Sequence, residues 1–438
     1  APESVLAACA AVRQDGRDVP LDAAGRAAML EIADGMAARG LRVLAMAERL
    51  LSSDEPLEVA SDVAERELVL LGLAGLEDPP RPEAAASVHL LHEAGVRVLM
   101  VTGDHPITAR AIAERVGIPA ADLRRGRDLD GLSERELAEV ARTVSVFARI
   151  APEHKLRVVR ALQASGDVAA VTGDGVNDAP ALREAAIGVA MGRSGTDVAR
   201  EAADLILADD NFATVTEAVR TGRVLYSNLR KAVRYYLAAK VALVSSSLAA
   251  VLLRLPVPFE PVQIIVMELF MDLGASATFV AEPPEHDVMK LRPRDPRSPF
   301  MDRAMQAGIF LGGLSLGAAV LVAYLGTWSR GLDVVQAQMA AFAAWMLGHV
   351  VLAAHMRAER QPLLRTNLLA NKAFLVWAGA ALAVIATAAG IPVIRERLHA
   401  AALDGRTWMW VLAAAILLPS WWEPWKWLRL RRARHSSR

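Results

Sequence analysis

Two segments of this 438-residue chain place carboxylates directly after apolar, β-branched runs. Val98-Leu99-Met100-Val101 leads into Thr102-Gly103-Asp104, and Val168-Ala169-Ala170-Val171 leads into Thr172-Gly173-Asp174-Gly175-Val176-Asn177-Asp178. Acidic residues at the tips of neighbouring buried strands converge on one crevice. A hard cation such as Mg²⁺ takes oxygen ligands, usually one or two carboxylates with phosphate and water, so Asp174 and Asp178 suit a phosphate-bound metal. Gly173 and Gly175 let the backbone approach an anion closely, and Asn177 adds an uncharged donor. Between the two segments, Phe147-Ala148-Arg149-Ile150-Ala151-Pro152-Glu153-His154-Lys155 sets two cations a few residues apart. Lys155 can neutralise phosphate as a point charge and Arg149 can grip it with a bidentate fork. Ordinary turn chemistry accounts for an isolated Thr-Gly-Asp, and solvation accounts for an isolated cation. The run from Gly173 to Pro180 carries more carboxylate and carboxamide groups than a turn requires. Asp128-Leu129-Asp130 imitates a phosphohydrolase nucleophile loop but follows Arg124-Arg125-Gly126-Arg127 instead of a buried strand, and is rejected as a site.

The elements that must hold these turns are strands alternating with helices. Val96 to Thr102 precedes a helical pattern from Ala109 to Val116, and Val168 to Thr172 precedes one from Ala179 to Ala186. That order predicts an α/β domain with a parallel sheet over residues 70–225, with ligands at the carboxyl ends of its strands. The composition is 54% hydrophobic, which excludes a disordered chain. Its 49 basic and 49 acidic residues balance, which argues against a nucleic-acid partner. The single cysteine, Cys9, permits no internal disulfide and no Cys-x-x-Cys site. The chain opens on Ala1 with no signal-peptide pattern, and reads as a fragment or processed chain.

Beyond residue 226 long apolar stretches recur, near 233–254, 261–281, 304–327, 337–357, 372–394 and 407–425. Each is long enough to cross a hydrocarbon core of about 30 Å, which predicts six membrane spans. Basic residues gather in the second and fourth loops and the tail, which predicts both chain ends on the cytoplasmic side. Trp421, Trp422, Trp425 and Trp427 suit an interfacial belt at the last exit. An ionisable group inside a span costs about 2.5 to 3.5 kcal/mol on insertion scales and is a functional hypothesis by default. Glu268 and Asp272 are such groups, stacked four residues apart on one helical face, with polar glue between helices as the structural alternative. His349 and His355 read as packing or helix-end residues rather than ligands.

Taken together, the chain resembles the carboxyl-terminal half of a P-type cation-transporting ATPase of the type II group. The matching residues are Ala1-Pro2-Glu3, Gly40-Leu41-Arg42-Val43-Leu44-Ala45, Asp78-Pro79-Pro80-Arg81, Thr102-Gly103-Asp104, Phe147 to Lys155, and Thr172 to Leu182. The resemblance implies a haloacid-dehalogenase-like (Rossmann-like) α/β cytoplasmic domain plus an all-α bundle of six transmembrane helices. It divides the chain into a nucleotide-binding remnant (1–76), the carboxyl-terminal part of the phosphorylation domain (77–225) and a transmembrane domain (226–438). It implies ATP and Mg²⁺ as cofactors, with Arg42, Thr102, Gly103, Asp104, Arg149, Lys155 and Asn177 around nucleotide and acyl-phosphate. Asp174 looks like the Mg²⁺ ligand, Asp178 a support of the same loop, and Asp78 to Arg81 a hinge.

In the same resemblance Glu268 and Asp272 fall where type II pumps place ligands for the transported cation. Lys240 stands where calcium pumps carry an asparagine, so it either pairs with Asp272 or Glu268 as a built-in counter-cation or snorkels to the membrane edge. Glu359 resembles a further carboxylate position. No Asp-Lys-Thr-Gly-Thr occurs in the chain, so the phosphorylated aspartate, like the actuator domain and the first four spans, is expected in a missing amino-terminal portion. The polypeptide is then an integral protein of the cell membrane that does not complete a transport cycle alone. The alternatives are a non-catalytic membrane module binding nucleotide or a partner chain, and a truncated, inactive pump.

Overall fold

The computed structural model describes residues 2–51, 65–77, 79–358, 362–363, 366–367, 369–424 and 426–427. The chain divides into two compact units, residues 1–219 with 289–296, and residues 220–288 with 297–438. Asp78 and Glu359 lie outside the described residues.

The first unit opens with a four-stranded sheet ordered Arg17–Pro20, Cys9–Gln14, Leu68–Leu76, Arg42–Glu48. Only the Cys9–Gln14 and Leu68–Leu76 pair in it is parallel. The α/β part that follows holds two three-stranded sheets. Val146–Ala148 lies between Met100–Val101 and Leu123–Arg125, and Ile187–Met191 lies between Ala170–Gly173 and Leu205–Leu207. Every pairing in these two sheets is parallel, as the strand-helix alternation predicts. The expected strand over Val96 to Thr102 shrinks to Met100–Val101. Ahead of it the amide of Val96 closes the preceding helix onto the Leu91 carbonyl. Apolar residues on the helices Pro106–Val116, Glu134–Thr143 and Pro152–Ala164 pack on the strands, with Ala109, Leu137, Val146 and Phe147 wholly buried.

The second unit is helical. Among the described residues, five helices are long and apolar enough to cross a membrane: Phe212–Leu252, Pro261–Val280, Arg303–Trp328, Val334–Arg357 and Lys372–Gly390. They are called here the first to fifth spans. The fourth is the centre of the bundle, with 78% of its apolar window buried against 28–56% for the others. The first and third approach closely because glycine leaves room: a Cβ on Gly313 would lie 2.5 Å from the Ala238 carbonyl oxygen. Apolar helix also occupies the region of the sixth expected span, 407–425. It is a 13-residue helix, Gly405–Leu417, followed by a tight turn, Pro419–Trp421. Pro419 donates no amide and its ring crowds the preceding turn. Helical residues resume at 422–424, so residues 405–424 are helical apart from the turn around Pro419. Trp422, expected at an interface, is instead 7% exposed, with the Arg234 guanidinium 6.0 Å from its ring.

Candidate functional site

The Thr102-Gly103-Asp104 turn is tied to the next strand by its backbone. The Thr102 amide donates to the Phe147 carbonyl (2.9 Å), the Arg149 amide to Asp104 (3.0 Å) and the Ile150 amide to Thr102 (3.0 Å). The Thr102 hydroxyl donates to Asp104 Oδ2 at 2.8 Å, which fixes that carboxylate. Arg149 sits at φ +52°, a left-handed backbone that a side chain adopts at a cost and that gathers at functional sites. A cavity of about 160 Å³ opens there, lined by Arg42, Gly103, Asp104, His105, Arg149 and Glu3 among others. Four of the residues expected around the nucleotide therefore share one cavity. Glu3 was not expected: its carboxylate lies 3.2 Å from His105 Nε2 and 4.0 Å from an Arg149 nitrogen.

The second turn is organised by Asp178. Its Oδ2 accepts the amides of Asp174 (3.1 Å) and Gly175 (3.3 Å), and its Oδ1 accepts the Lys155 ammonium at 2.8 Å. Burial alone would raise this carboxyl, but the Lys155 ammonium and the two amides outweigh it and hold Asp178 below the ordinary carboxylate range. Gly173 is required here, since a Cβ would fall 2.5 Å from Asp178 Cβ and 2.7 Å from its Oδ2. Asp174 and Asn177 lie exposed on the same turn. Among the described residues the Asp174 carboxylate takes no hydrogen bond or ion pair, while its carbonyl accepts the Thr196 amide at 2.8 Å. Asp178 is thus committed inside the protein, and Asp174 is the carboxylate presented outward. The rejected Asp128-x-Asp130 pair is absorbed locally, Asp128 accepting the Arg125 amide (2.9 Å) and Asp130 facing His154 Nε2 (2.6 Å).

In the bundle, Lys240 lies between the two expected carboxylates. Its ammonium pairs with Glu268 and, at 2.8 Å, with Asp272 Oδ2, and stands 4.7 Å from the Tyr236 ring centre. Snorkelling away from them is therefore not what Lys240 does. Glu268 and Asp272 both lie in Met267–Leu273, a widened π-helical turn, a feature common at functional sites. His349 was expected as a packing or helix-end residue, and the structure adds a neighbour to it. It is not merely packed, since its Nε2 lies 3.0 Å from Asp272 Oδ1 and both side chains are almost wholly buried. His355 does occupy a helix end, facing Glu423 (3.1 Å) and Ser420 (3.0 Å).

Residues 6–186 match the family model of the haloacid dehalogenase-like hydrolases, and residues 256–428 match that of the cation transporting ATPase C-terminus. The calcium-transporting ATPase of Bacillus subtilis is 36% identical over 425 residues, 95% of this chain and 47% of that protein. The cation-transporting ATPase pma1 of Synechocystis is 42% identical over 318 residues, covering 71% of this chain and 34% of its own length. The endoplasmic reticulum calcium ATPase srcA of Aspergillus fumigatus is 41% identical over 340 residues, 74% of this chain and 35% of its own. The chain belongs to the P-type cation-transporting ATPases. It spans about half the length of these relatives or less. P-type ATPases are ATP-hydrolysing enzymes, and this chain carries their haloacid dehalogenase-like part together with apolar helices of an integral membrane protein.

What sequence reasoning missed in this P-type chain is tertiary. Nothing in the spacing of His349 pointed to Asp272, 77 positions earlier on another span. The positions of Lys155 and Asp178, 23 apart, showed two groups suited to phosphate and metal but not that each takes up the other's charge.

Proposed function

We propose that this chain supplies the nucleotide cleft and part of the ion path of an ATP-driven cation transporter. The observation that carries the proposal is the assembly of Arg42, Gly103, Asp104 and Arg149, far apart in sequence, around one cavity. Two guanidinium groups there match the charge of a polyphosphate, and Gly103 lets backbone approach it. Phosphoryl transfer is mainly positioning plus charge neutralisation, so groups of this kind can do most of the work. Mg²⁺ fits the second turn, because the outward Asp174 carboxylate is an oxygen donor with no partner among the described residues and Asn177 stands beside it. Bound there, Mg²⁺ would neutralise charge on the transferring phosphate. Asp178 holds the amides of that turn and the Lys155 ammonium in place. The phosphate-accepting aspartate belongs, on this reading, to the remainder of the pump, which is a partner of this chain along with the lipid bilayer of the cell membrane. Glu268, Asp272 and Lys240 form its part of the ion path.

The test is phosphoenzyme formation from radiolabelled ATP in a pump that presents this chain after an Asp-Lys-Thr-Gly-Thr segment. Asp174→Asn should abolish the acid-stable phosphoenzyme, and undiminished labelling would refute the role of Asp174. The coding sequence immediately upstream supplies an independent check: such a segment in frame supports the pump, whereas its absence favours a binding module.

A further inference from the structure

The cavity in the first unit is lined by more carboxylates than a polyphosphate calls for. Glu3, Asp34 and Asp104 stand against two guanidinium groups, Arg42 and Arg149. The two arginines differ in what they face. Arg42 takes no hydrogen bond or ion pair among the described residues. Arg149 is met by Glu3, whose Oε1 lies 4.0 Å from a guanidinium nitrogen and 3.2 Å from His105 Nε2. Glu3 belongs to the first turn of the helix Pro2–Ala8, which buried Leu6 fastens to the unit. His105 is the cap residue of the helix Pro106–Val116, and the amino terminus of a helix favours an anion. Guanidinium, imidazole and helix amino terminus are groups that proteins turn toward phosphate. Glu3 engages the first two of them beside the third. The Arg149 backbone is pinned, its amide on the Asp104 carbonyl at 3.0 Å and its own carbonyl packed on Gly126, where a Cβ would lie 2.4 Å away. The Glu3 side chain is 50% exposed, so a change of rotamer carries its carboxylate into water.

We propose, resting on the nucleotide-cleft reading above, that Glu3 is a resident anion: it holds Arg149 and His105 while the cleft is empty and yields them to a phosphate group of the nucleotide. One anion replaces another at the same guanidinium, and no covalent bond changes. The consequence is selection by charge. A ligand with phosphate groups displaces the carboxylate and takes Arg149 as a fork. An uncharged nucleoside cannot compete with a carboxylate for that guanidinium and leaves the contact intact. Glu3 therefore lowers the affinity for phosphate-bearing ligands and leaves that for the nucleoside alone. Both side chains of the Glu3 and Arg149 pair are about half exposed, which places the contact among surface pairs, a few-fold in an equilibrium constant. That strength suits a contact that opens each time nucleotide enters.

The experiment is calorimetric titration of the 438-residue chain in lipid nanodiscs with Mg²⁺-ATP, and with adenosine by displacement of ATP. E3Q keeps the length of the side chain and removes its charge. It should bind ATP about fivefold more tightly and adenosine with unaltered affinity. In the R149A background E3Q should change ATP affinity by less than about twofold, since no guanidinium is left to release. E3D draws the carboxylate one carbon back from Arg149 and should fall between E3Q and the unaltered chain, which keeps the test open should E3Q not fold. ATP affinity unchanged in E3Q overturns the proposal, and so does a weakened one, which would make Glu3 a direct contact of the ligand. Equal tightening of adenosine, or a gain that persists in R149A, overturns it as well. Absence of ATP heat in the unaltered chain and every variant would overturn the cleft reading and this role with it. ATP binding that weakens in R42A and ignores E3Q would sink the role of Glu3 alone.

Discussion

The ion pair between Lys155 and Asp178 lends itself to a quantitative prediction. The charges are 2.8 Å apart, with the side chains 16% and 21% exposed. Coulomb attraction at that separation is about 6 kcal/mol at an effective dielectric of 20 and about 1.5 kcal/mol in water. Removing both groups from most of their water offsets much of the larger figure, so a net coupling of about 2 kcal/mol is expected. Asp178→Ala should cost more than Lys155→Ala. It strands the ammonium and also frees the amides of Asp174 and Gly175, for a total of about 3 to 4 kcal/mol. Hydrogen exchange read by mass spectrometry on the segment Ala170–Glu184 is the assay, because every tryptophan lies beyond residue 327 and fluorescence does not report this turn. The double variant completes the cycle. Because the folded carboxyl lies below its unfolded value, its contribution is present above about pH 4 and fades as pH falls through the folded value. A coupling below about 0.5 kcal/mol, or one unchanged at pH 3, would refute the account of how the turn is held.

Gly173→Ala should displace the Asp178 side chain, whose Cβ would lie 2.5 Å from the new methyl, and should raise exchange across the same turn about as much as Asp178→Ala. Asp210, pulled down to about 2 chiefly by the Arg193 amide and further by that of Ser194, supports the loop only when ionised. Asp210→Asn should therefore lower thermal stability at neutral pH, and the difference from the unaltered chain should disappear as pH approaches 2. Glu282, 9% exposed, accepts Arg357 at 2.9 Å and Asn371 at 2.7 Å. Glu282→Ala leaves that guanidinium buried without its carboxylate and should cost the bundle about 3 kcal/mol, read by tryptophan fluorescence in a detergent unfolding series. A loss under about 1 kcal/mol would contradict it.

What the sequence disclosed was what is local. The turns after Val101 and Val171 declare themselves because glycine, carboxylate and carboxamide follow an apolar run within a few positions, and the structure forms both turns at strand ends. The parallel pairing of the α/β strands followed from their alternation with helices. Lys240 as a partner for Glu268 and Asp272 was one of two readings of the sequence, snorkelling to the membrane edge being the other, and only the structure sets the three together. The interruption of the sixth apolar stretch at Pro419 was not read from the sequence, because hydropathy sums residues and is blind to the turn there. His349 was passed over because the rotation of the fourth span, which turns its Nε2 toward Asp272, is decided by packing around Trp345 and Tyr235 and not by any interval in the sequence.

Calorimetric titration of the chain with Mg²⁺-ATP tests the nucleotide cleft most directly. One molecule should bind, and Arg42→Ala or Arg149→Ala should each weaken it about tenfold, while Asp272→Asn, distant in function and in the other unit, leaves the affinity unaltered. No saturable heat, or affinity indifferent to both arginines, would contradict the claim that this cavity receives ATP.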